Sequence, residues 1–241
     1  MINMKVNEEN TLFIYPQAKQ AIEAAASGWI SLAAQCIQEK GSFHVALSGG
    51  STPKAIYALL SSTYAHTIDW KCVHLYWSDE RNVALTHPES NYLMAMESGL
   101  KNLKIPKNQI HGVPTHLKPK VCAQEYNKLL SCTKLDLVML GMGTDGHTAS
   151  LFPHTEALKI TDRYFAENLL LDGKTYRFTM TYPGIHLAKQ CNVYALGDDK
   201  KERIKSVLLG RFDSEEQPVQ GVGRKESPAH WILDQAAAGK L

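Results

Sequence analysis

An α/β fold, with one mainly parallel sheet covered by helices on both faces, is what this sequence predicts. Three observations predict it. Strand-like apolar runs alternate with stretches whose apolar residues recur at helical spacing. Glycine-rich polar loops directly follow several of those runs, as they do where a parallel strand hands over to its helix. The run from Leu135 to Leu140 has Asp136 as its only charge, which fits a central strand buried on both sides.

In chain order, Thr11 to Tyr15 is a short apolar segment closed by Pro16. The Ala-rich stretch from there to Lys40 has helical spacing and stops at Gly41. Phe43 to Leu47 is a strand running into Ser48-Gly49-Gly50-Ser51-Thr52-Pro53, and Pro53 suits the first turn of a helix through Leu60. Cys72 to Trp77 is the next strand, followed by a polar loop and a helix around Tyr92 to Gly99. A helix around Val121 to Leu130 precedes the Leu135 to Leu140 strand and a second glycine loop. Tyr176 to Thr181 and Asn192 to Leu196 are further strands, the latter leading into a helix around Lys201 to Leu209. Arg211 to Ser227, rich in Gly, Pro and charge, reads as a surface excursion before a closing segment from Trp231 to Ala238. With no repeat or low-complexity linker, the expectation is a single domain, residues 1–241, in a Rossmann-like three-layer sandwich.

Composition narrows the function. A chain of 241 residues that is 44% hydrophobic can build a real core, which excludes disorder as its main state. Its 26 Lys+Arg against 24 Asp+Glu leave +2, too small an excess to attract nucleic acid or anionic membrane by bulk charge. No apolar run approaches the roughly 20 residues of a membrane span, and Met1 to Asn10 is polar, so the expectation is a soluble, cytoplasmic protein. The 5 cysteines are scattered without a C-x-x-C pair, and the 10 histidines show no metal-ligand spacing. Neither a metal nor another cofactor is expected, and neither is an obligate protein partner.

Three loops could carry chemistry. Ser48 to Pro53 lets the backbone approach an anion and aims the first N–H groups of a helix at it. It lacks the spacing and lysine of a nucleotide P-loop, and it could also be an ordinary turn. Gly141-Met142-Gly143-Thr144-Asp145-Gly146 matches G-x-G-x-x-G, with Asp162 at the distance of a ribose-binding acid. A dinucleotide site is nevertheless rejected, because Pro153 interrupts the downstream run and Ile160 to Asp162 makes a poor strand end. His147, next to this loop, is placed where an imidazole can be exposed and oriented. The third loop, Trp77-Ser78-Asp79-Glu80-Arg81-Asn82, aims two carboxylates and a guanidinium at the same rim. Arg177 and Lys200 are basic residues that could close an anion site, a surface role being the alternative for Lys200.

Taken together, Ala46 to Pro53, Trp77 to Val83 with Ser90 to Tyr92, Leu140 to Pro153, Arg177 to Ile185, Gly197 to Lys200 and Trp231 to Ala237 resemble the 6-phosphogluconolactonase family. The resemblance covers nearly the whole chain. It implies hydrolysis of 6-phosphoglucono-δ-lactone to 6-phosphogluconate, a step of the oxidative pentose phosphate pathway, without a cofactor. It also implies a fold shared with glucosamine-6-phosphate deaminases and isomerases, the enzymatic alternative. Their pattern continues H-x-A-F-x-E-P, whereas here Phe152 falls where that glutamate would stand. A non-catalytic sugar-phosphate sensor is a further alternative, opposed by the retention of His147, Asp79 and Arg81.

The roles the resemblance implies follow lactone chemistry. A δ-lactone needs positioning, one base and charge stabilisation. An imidazole, with an ordinary pKa of about 6.5, suits the base, which would be His147. Backbone N–H groups of the glycine loops, or Arg81, would hold the oxyanion. Ser48, Gly49, Gly50, Ser51 and Thr52, with Arg177 and Lys200, would clamp the phosphate, and Gly143 and Asp145 would complete the substrate pocket. Asp79, taken as an exposed carboxylate near its reference pKa of about 3.9, is too weak a base and would orient substrate or His147.

Overall fold

The structure, a computed structural model, describes residues 1–239 and 241. The chain opens on β1 (Ile2–Lys5) and β2 (Asn10–Tyr15), an antiparallel pair. All four residues of β1 are exposed, so no burial pattern marks it in the sequence. Helix α1 (Ala18–Lys40) buries Ala21, Ala25, Trp29, Ala33 and Cys36 along one face, and the small alanines let it lie close to the sheet. It ends where Gly41 turns left-handed at φ 81° and donates its N–H to the Ile37 carbonyl at 2.9 Å.

β3 (Phe43–Leu47) then leads to α2 (Ser51–Ser62), and β4 (Val73–Trp77) runs directly into a short strand, β5 (Asp79–Arg81). Helices α3 (Asn91–Glu97) and α4 (Pro119–Ser131) bring the chain to β6 (Leu137–Gly141). After a long polar loop come β7 (Phe165–Leu169), β8 (Tyr176–Met180) and the short α5 (Tyr182–Ile185). The chain finishes through β9 (Gln190–Ala195), α6 (Lys201–Leu209), β10 (Ala229–Asp234) and α7 (Gln235–Ala238).

The main sheet has seven strands in the order β1-β2-β10-β9-β6-β3-β4, every adjacent pair parallel except β1 with β2. Successive residues Leu137, Val138, Met139 and Leu140 point to opposite faces and all are fully buried, so both faces of β6 are covered, as expected of a central strand. From β3 the chain moves outward to β4, and from β6 it moves the other way to β9. The carboxyl ends of adjacent β3 and β6 therefore flank a crevice where the winding direction reverses, the place where such sheets bind ligands.

Three expectations change. Tyr176 to Thr181 is not a strand of the parallel sheet: β8 is the centre of a separate antiparallel sheet, β5-β8-β7. Local apolar patterning cannot distinguish the two, because strand pairing is set by distant residues. The segment Arg211 to Ser227 is only partly a surface excursion. Gln217, Pro218, Val219 and Val222 are buried, and the Val219 N–H donates to the Gly146 carbonyl at 3.0 Å, underpinning the second glycine loop. Finally, the closing segment begins within a strand, β10, inserted between β2 and β9 with Trp231 fully buried, and ends in α7.

At the amino end of the sheet, Asp136 just before β6 is buried. It accepts the His44 backbone N–H at 2.9 Å and pairs with Lys40 at 2.8 Å and Lys189 at 3.6 Å. This fixes β3, β6 and the end of α1 against one another. Among the described residues, no helix is long and apolar enough to cross a membrane.

Candidate active site

The loop after β3 is built for close approach. Ser48 is buried, its N–H donating to the Tyr57 hydroxyl at 3.0 Å while that hydroxyl donates back to the Ser48 carbonyl at 2.8 Å. Gly49 has no room for a side chain, since a β-carbon would collide with the Asn91 amide. Gly50, at φ 102°, precedes α2 without any side-chain cap. The first N–H groups of α2, on Ser51 and Thr52, therefore have no capping side chain, and an anion is the partner such a helix start favours.

The loop after β6 holds the histidine. Asp145 Oδ1 accepts from the His147 backbone N–H at 3.1 Å and lies 2.6 Å from His147 Nδ1. With Nδ1–H donating to the carboxylate, Nε2 is left free to accept a proton. Burial works to raise the Asp145 pKa, but the backbone N–H, the charge and the ring of His147 together hold it below its usual value. Gly143 leaves the space these two side chains need, because a β-carbon there would overlap both. Phe152 stacks on the imidazole with ring centres 4.3 Å apart. Ala149 sits left-handed at φ 48°, a strain of about 1–3 kcal/mol for a non-glycine residue. Its neighbours pin it there: Thr148 Oγ1 donates to the Gly141 carbonyl at 2.8 Å and the Ser150 N–H donates to Thr179 Oγ1 at 3.1 Å.

The third group comes from β5. Glu80, fully buried, accepts the N–H groups of Asn91 and Tyr92 at 2.8 Å each and the Ser90 hydroxyl at 3.0 Å, so it seats the start of α3. Asp79 accepts from the Ser150 hydroxyl at 2.8 Å on one carboxylate oxygen and from Asn91 Nδ2 at 3.1 Å on the other. Arg81 donates to the Glu89 carbonyl at 2.8 Å and stands directly across from Arg177 in the β5–β8 ladder. Cross-strand partners share a face of the sheet, so two guanidinium-bearing positions face the same way, an arrangement that calls for an anion.

These elements meet in one cleft of about 190 Å³ at the carboxyl ends of β3, β4 and β6. Its wall is formed by Ser48, Gly49, Gly50, Asp79, Arg81, Gly141, Met142, Gly143, His147 and Ala149. A model of one family, described as glucosamine-6-phosphate isomerases/6-phosphogluconolactonase, matches residues 16–231. The chain belongs to this isomerase/lactonase family. Among its relatives, a 6-phosphogluconolactonase of Chlamydia pneumoniae is 38% identical over 232 residues, covering 94% of this chain and 89% of its own. One of Nostoc sp. is 39% identical over 215 residues, covering 85% and 87%. The solved structure of 6-phosphogluconolactonase from Trypanosoma brucei is similar at 25% identity and a TM-score of 0.84, covering 97% of this chain and 99% of that one.

In this member of the isomerase/lactonase family, seven of the residues singled out in the sequence, Ser48, Gly49, Gly50, Asp79, Arg81, Gly143 and His147, share the cleft wall. Ser51 and Thr52 open α2 behind Gly50, and Asp145 orients the imidazole from beside the wall. Arg177 does not line the cleft wall; it stands across from Arg81 in the β5–β8 ladder, and its charge acts on Asp79. Lys200 follows β9 at the same rim but does not line the cleft, and its ammonium lies 3.3 Å from Asp199. No helix opens from Gly141–Gly146, in keeping with the rejection of a dinucleotide loop.

Asp79 requires correction. It is buried rather than exposed, and burial raises its pKa from 3.8 against the opposing pull of Ser150, Arg81, His147 and Arg177. Sequence reasoning also gave no role to Asn91 and Ser150. Both lie inside the stretches that carry the family resemblance, but nothing in a sequence shows that Ser150 bonds a carboxylate 71 positions away.

Proposed function

We propose that the chain hydrolyses 6-phospho-D-glucono-1,5-lactone to 6-phospho-D-gluconate. The observation that carries this reading is the single cleft shared by an oriented histidine, an uncapped glycine-loop helix start and Arg81. The names of the relatives support the substrate. The whole chain serves as one α/β unit in this reading.

His147 acts as the general base. Asp145 holds Nδ1, and Nε2 takes a proton from a water that attacks C1 of the lactone. The carbonyl oxygen becomes an oxyanion facing backbone N–H groups of the glycine loops and the Arg81 guanidinium. Collapse breaks the bond from C1 to the ring oxygen, and the imidazolium returns its proton to that oxygen. The new carboxylic acid then ionises in water. The 6-phosphate is met by the Ser48 to Thr52 loop with Arg177, and Lys200 adds charge at the rim. Water and an imidazole suffice for this reaction, with no cofactor or Lewis acid required.

The deaminase reading needs a further acid–base group for ring opening and proton transfer between C1 and C2. Phe152 stands at that position in the motif and is packed against His147, and an apolar ring transfers no proton. The test is a coupled assay of the purified protein on freshly generated lactone. The expected result is 6-phosphogluconate formation well above the spontaneous rate, with no ammonia released from glucosamine 6-phosphate. A rate equal to spontaneous hydrolysis would overturn the reading, and ammonia release at a comparable rate would replace it with the deaminase.

A further inference from the structure

We propose that Ser150 is a positioning residue for the reaction, fixing the Asp79 carboxylate in the cleft wall through a hydroxyl that is itself locked by the strands behind it. The proposal rests on the lactonase reading above. Ser150 is buried and does not line the cleft, so it has no direct route to substrate. Its backbone is held on both sides: the N–H donates to Thr179 Oγ1 at 3.1 Å, and the carbonyl accepts from Asn168 Nδ2 at 2.8 Å. Asn168 is buried as well and anchors a second time on Thr155 Oγ1 at 3.0 Å. Among the described residues, the hydroxyl on this constrained backbone donates to Asp79 Oδ2 at 2.8 Å.

Without that bond, Asn91 would hold the carboxylate by one oxygen alone, and a singly tethered carboxylate can rotate. The surroundings make its orientation and charge matter. Glu80 and Arg81 follow it on its own strand, and the charges of Arg177 on β8 and His147 in the glycine loop, with the Tyr57 hydroxyl on α2, lie close enough to act on it or feel it. Arg81 and Arg177 are direct cross-strand partners, and like charges so placed repel unless an anion lies with them. An ionised Asp79 supplies that anion while the cleft is empty of substrate. Ser150 favours the ionised form by donating to it, and among the groups that oppose the effect of burial on Asp79 its hydroxyl is the largest. The consequence is a preformed pair of guanidinium groups, ready for phosphate or oxyanion without rearrangement.

The test compares the parent with Ser150→Ala and Ser150→Thr. Ser150→Ala removes one oxygen atom and introduces no bulk. Hydrogen bonds to charged groups are worth about 1.5–3 kcal/mol, so kcat is expected to fall about ten- to a hundredfold with KM changed less. The acid limb of kcat/KM should move to higher pH, and the Asp79 carboxyl carbon, followed by isotope-edited NMR, should titrate at higher pH. Restoration of both by Ser150→Thr supports the proposal. An unmoved acid limb together with an unmoved Asp79 titration in Ser150→Ala overturns it, even if the protein is less stable or slower. The NMR titration does not depend on activity. If the parent fails to hydrolyse the lactone, the functional reading falls, while the titration still decides whether Ser150 sets the charge of Asp79.

Discussion

Asp136 and Asp79 stand at opposite ends of the parallel sheet, one before β6 and one after β4, and both are buried. Their company differs. Asp136 is met by two lysine ammonium groups, at 2.8 and 3.6 Å, and by the His44 backbone N–H. Its cations are committed to it, and nothing is left for a ligand. Asp79 is held by the neutral donors Ser150 and Asn91, while Arg81 and Arg177 act on it by charge alone and form no salt bridge with any carboxylate among the described residues. Burial of a carboxylate therefore does not by itself mark a functional site. What separates the two is whether the charges nearby are already spoken for, and on the proposed reading that divides a stabilising end from a reactive end.

The division predicts that substitutions at the carboxyl end change kinetics and those at the amino end change stability. The largest effect belongs to His147→Ala, which should lower turnover by roughly 10²–10⁴-fold, the usual contribution of a positioned general base, with the melting temperature nearly unmoved. Turnover within a factor of about two of the parent would break the assignment of the reactive end. Next, Arg177→Ala should weaken 6-phosphogluconate binding about ten- to a hundredfold, measured by calorimetry, because a charge-assisted bond contributes about 1.5–3 kcal/mol. Lys200→Ala should cost less, since its ammonium lies beside Asp199, whereas Arg177 stands across from Arg81 and forms no salt bridge among the described residues. A larger loss from Lys200 than from Arg177 would redraw the phosphate clamp.

At the other end, Asp136→Asn should destabilise the fold by about 1–3 kcal/mol in denaturant unfolding, a figure kept low because Lys40 and Lys189 can turn toward solvent. Activity per folded molecule should be unchanged, and a selective loss of kcat would break the comparison. The smallest effect concerns pH. Burial, aided by His74 and Lys40, lowers the His44 pKa from 6.5 to about 4. Between those values the unfolded chain takes up a proton that the folded one refuses, so stability is full above 6.5 and is lost as pH falls toward 4. Replacing His44 with Gln should flatten that stretch of a melting-temperature profile. An unchanged slope would place the acid sensitivity elsewhere.

Much of the main sheet was legible because its strands are apolar runs next to glycine loops, as in Phe43 to Leu47 before Ser48-Gly49-Gly50. The small sheet was not. Asp79–Arg81 is polar and pairs with a strand almost a hundred residues later, and β7 has Glu167 and Asn168 in its middle. The residues that share the cleft were legible wherever they sit at a strand end, as with His147, Arg81 and the Ser48 loop. What stayed hidden were the supports, Asn91 and Ser150, and the burial of Asp79, because each arises from residues brought together only by the fold.

The insertion of β10 between β2 and β9 bears on how the chain is made. Asn10 pairs with Ala229, so β2 waits for a parallel neighbour synthesised more than two hundred residues later. At translation rates of about 5–20 residues per second the wait is on the order of 10–40 s. Through that interval β2 presents an unpaired edge, joined near its end by that of β9, the template on which strands of neighbouring nascent chains can add. A ribosome stalled before Ala229 would hold a sheet split down its length, with the β1–β2 ribbon on one side and no strand to join it to the rest.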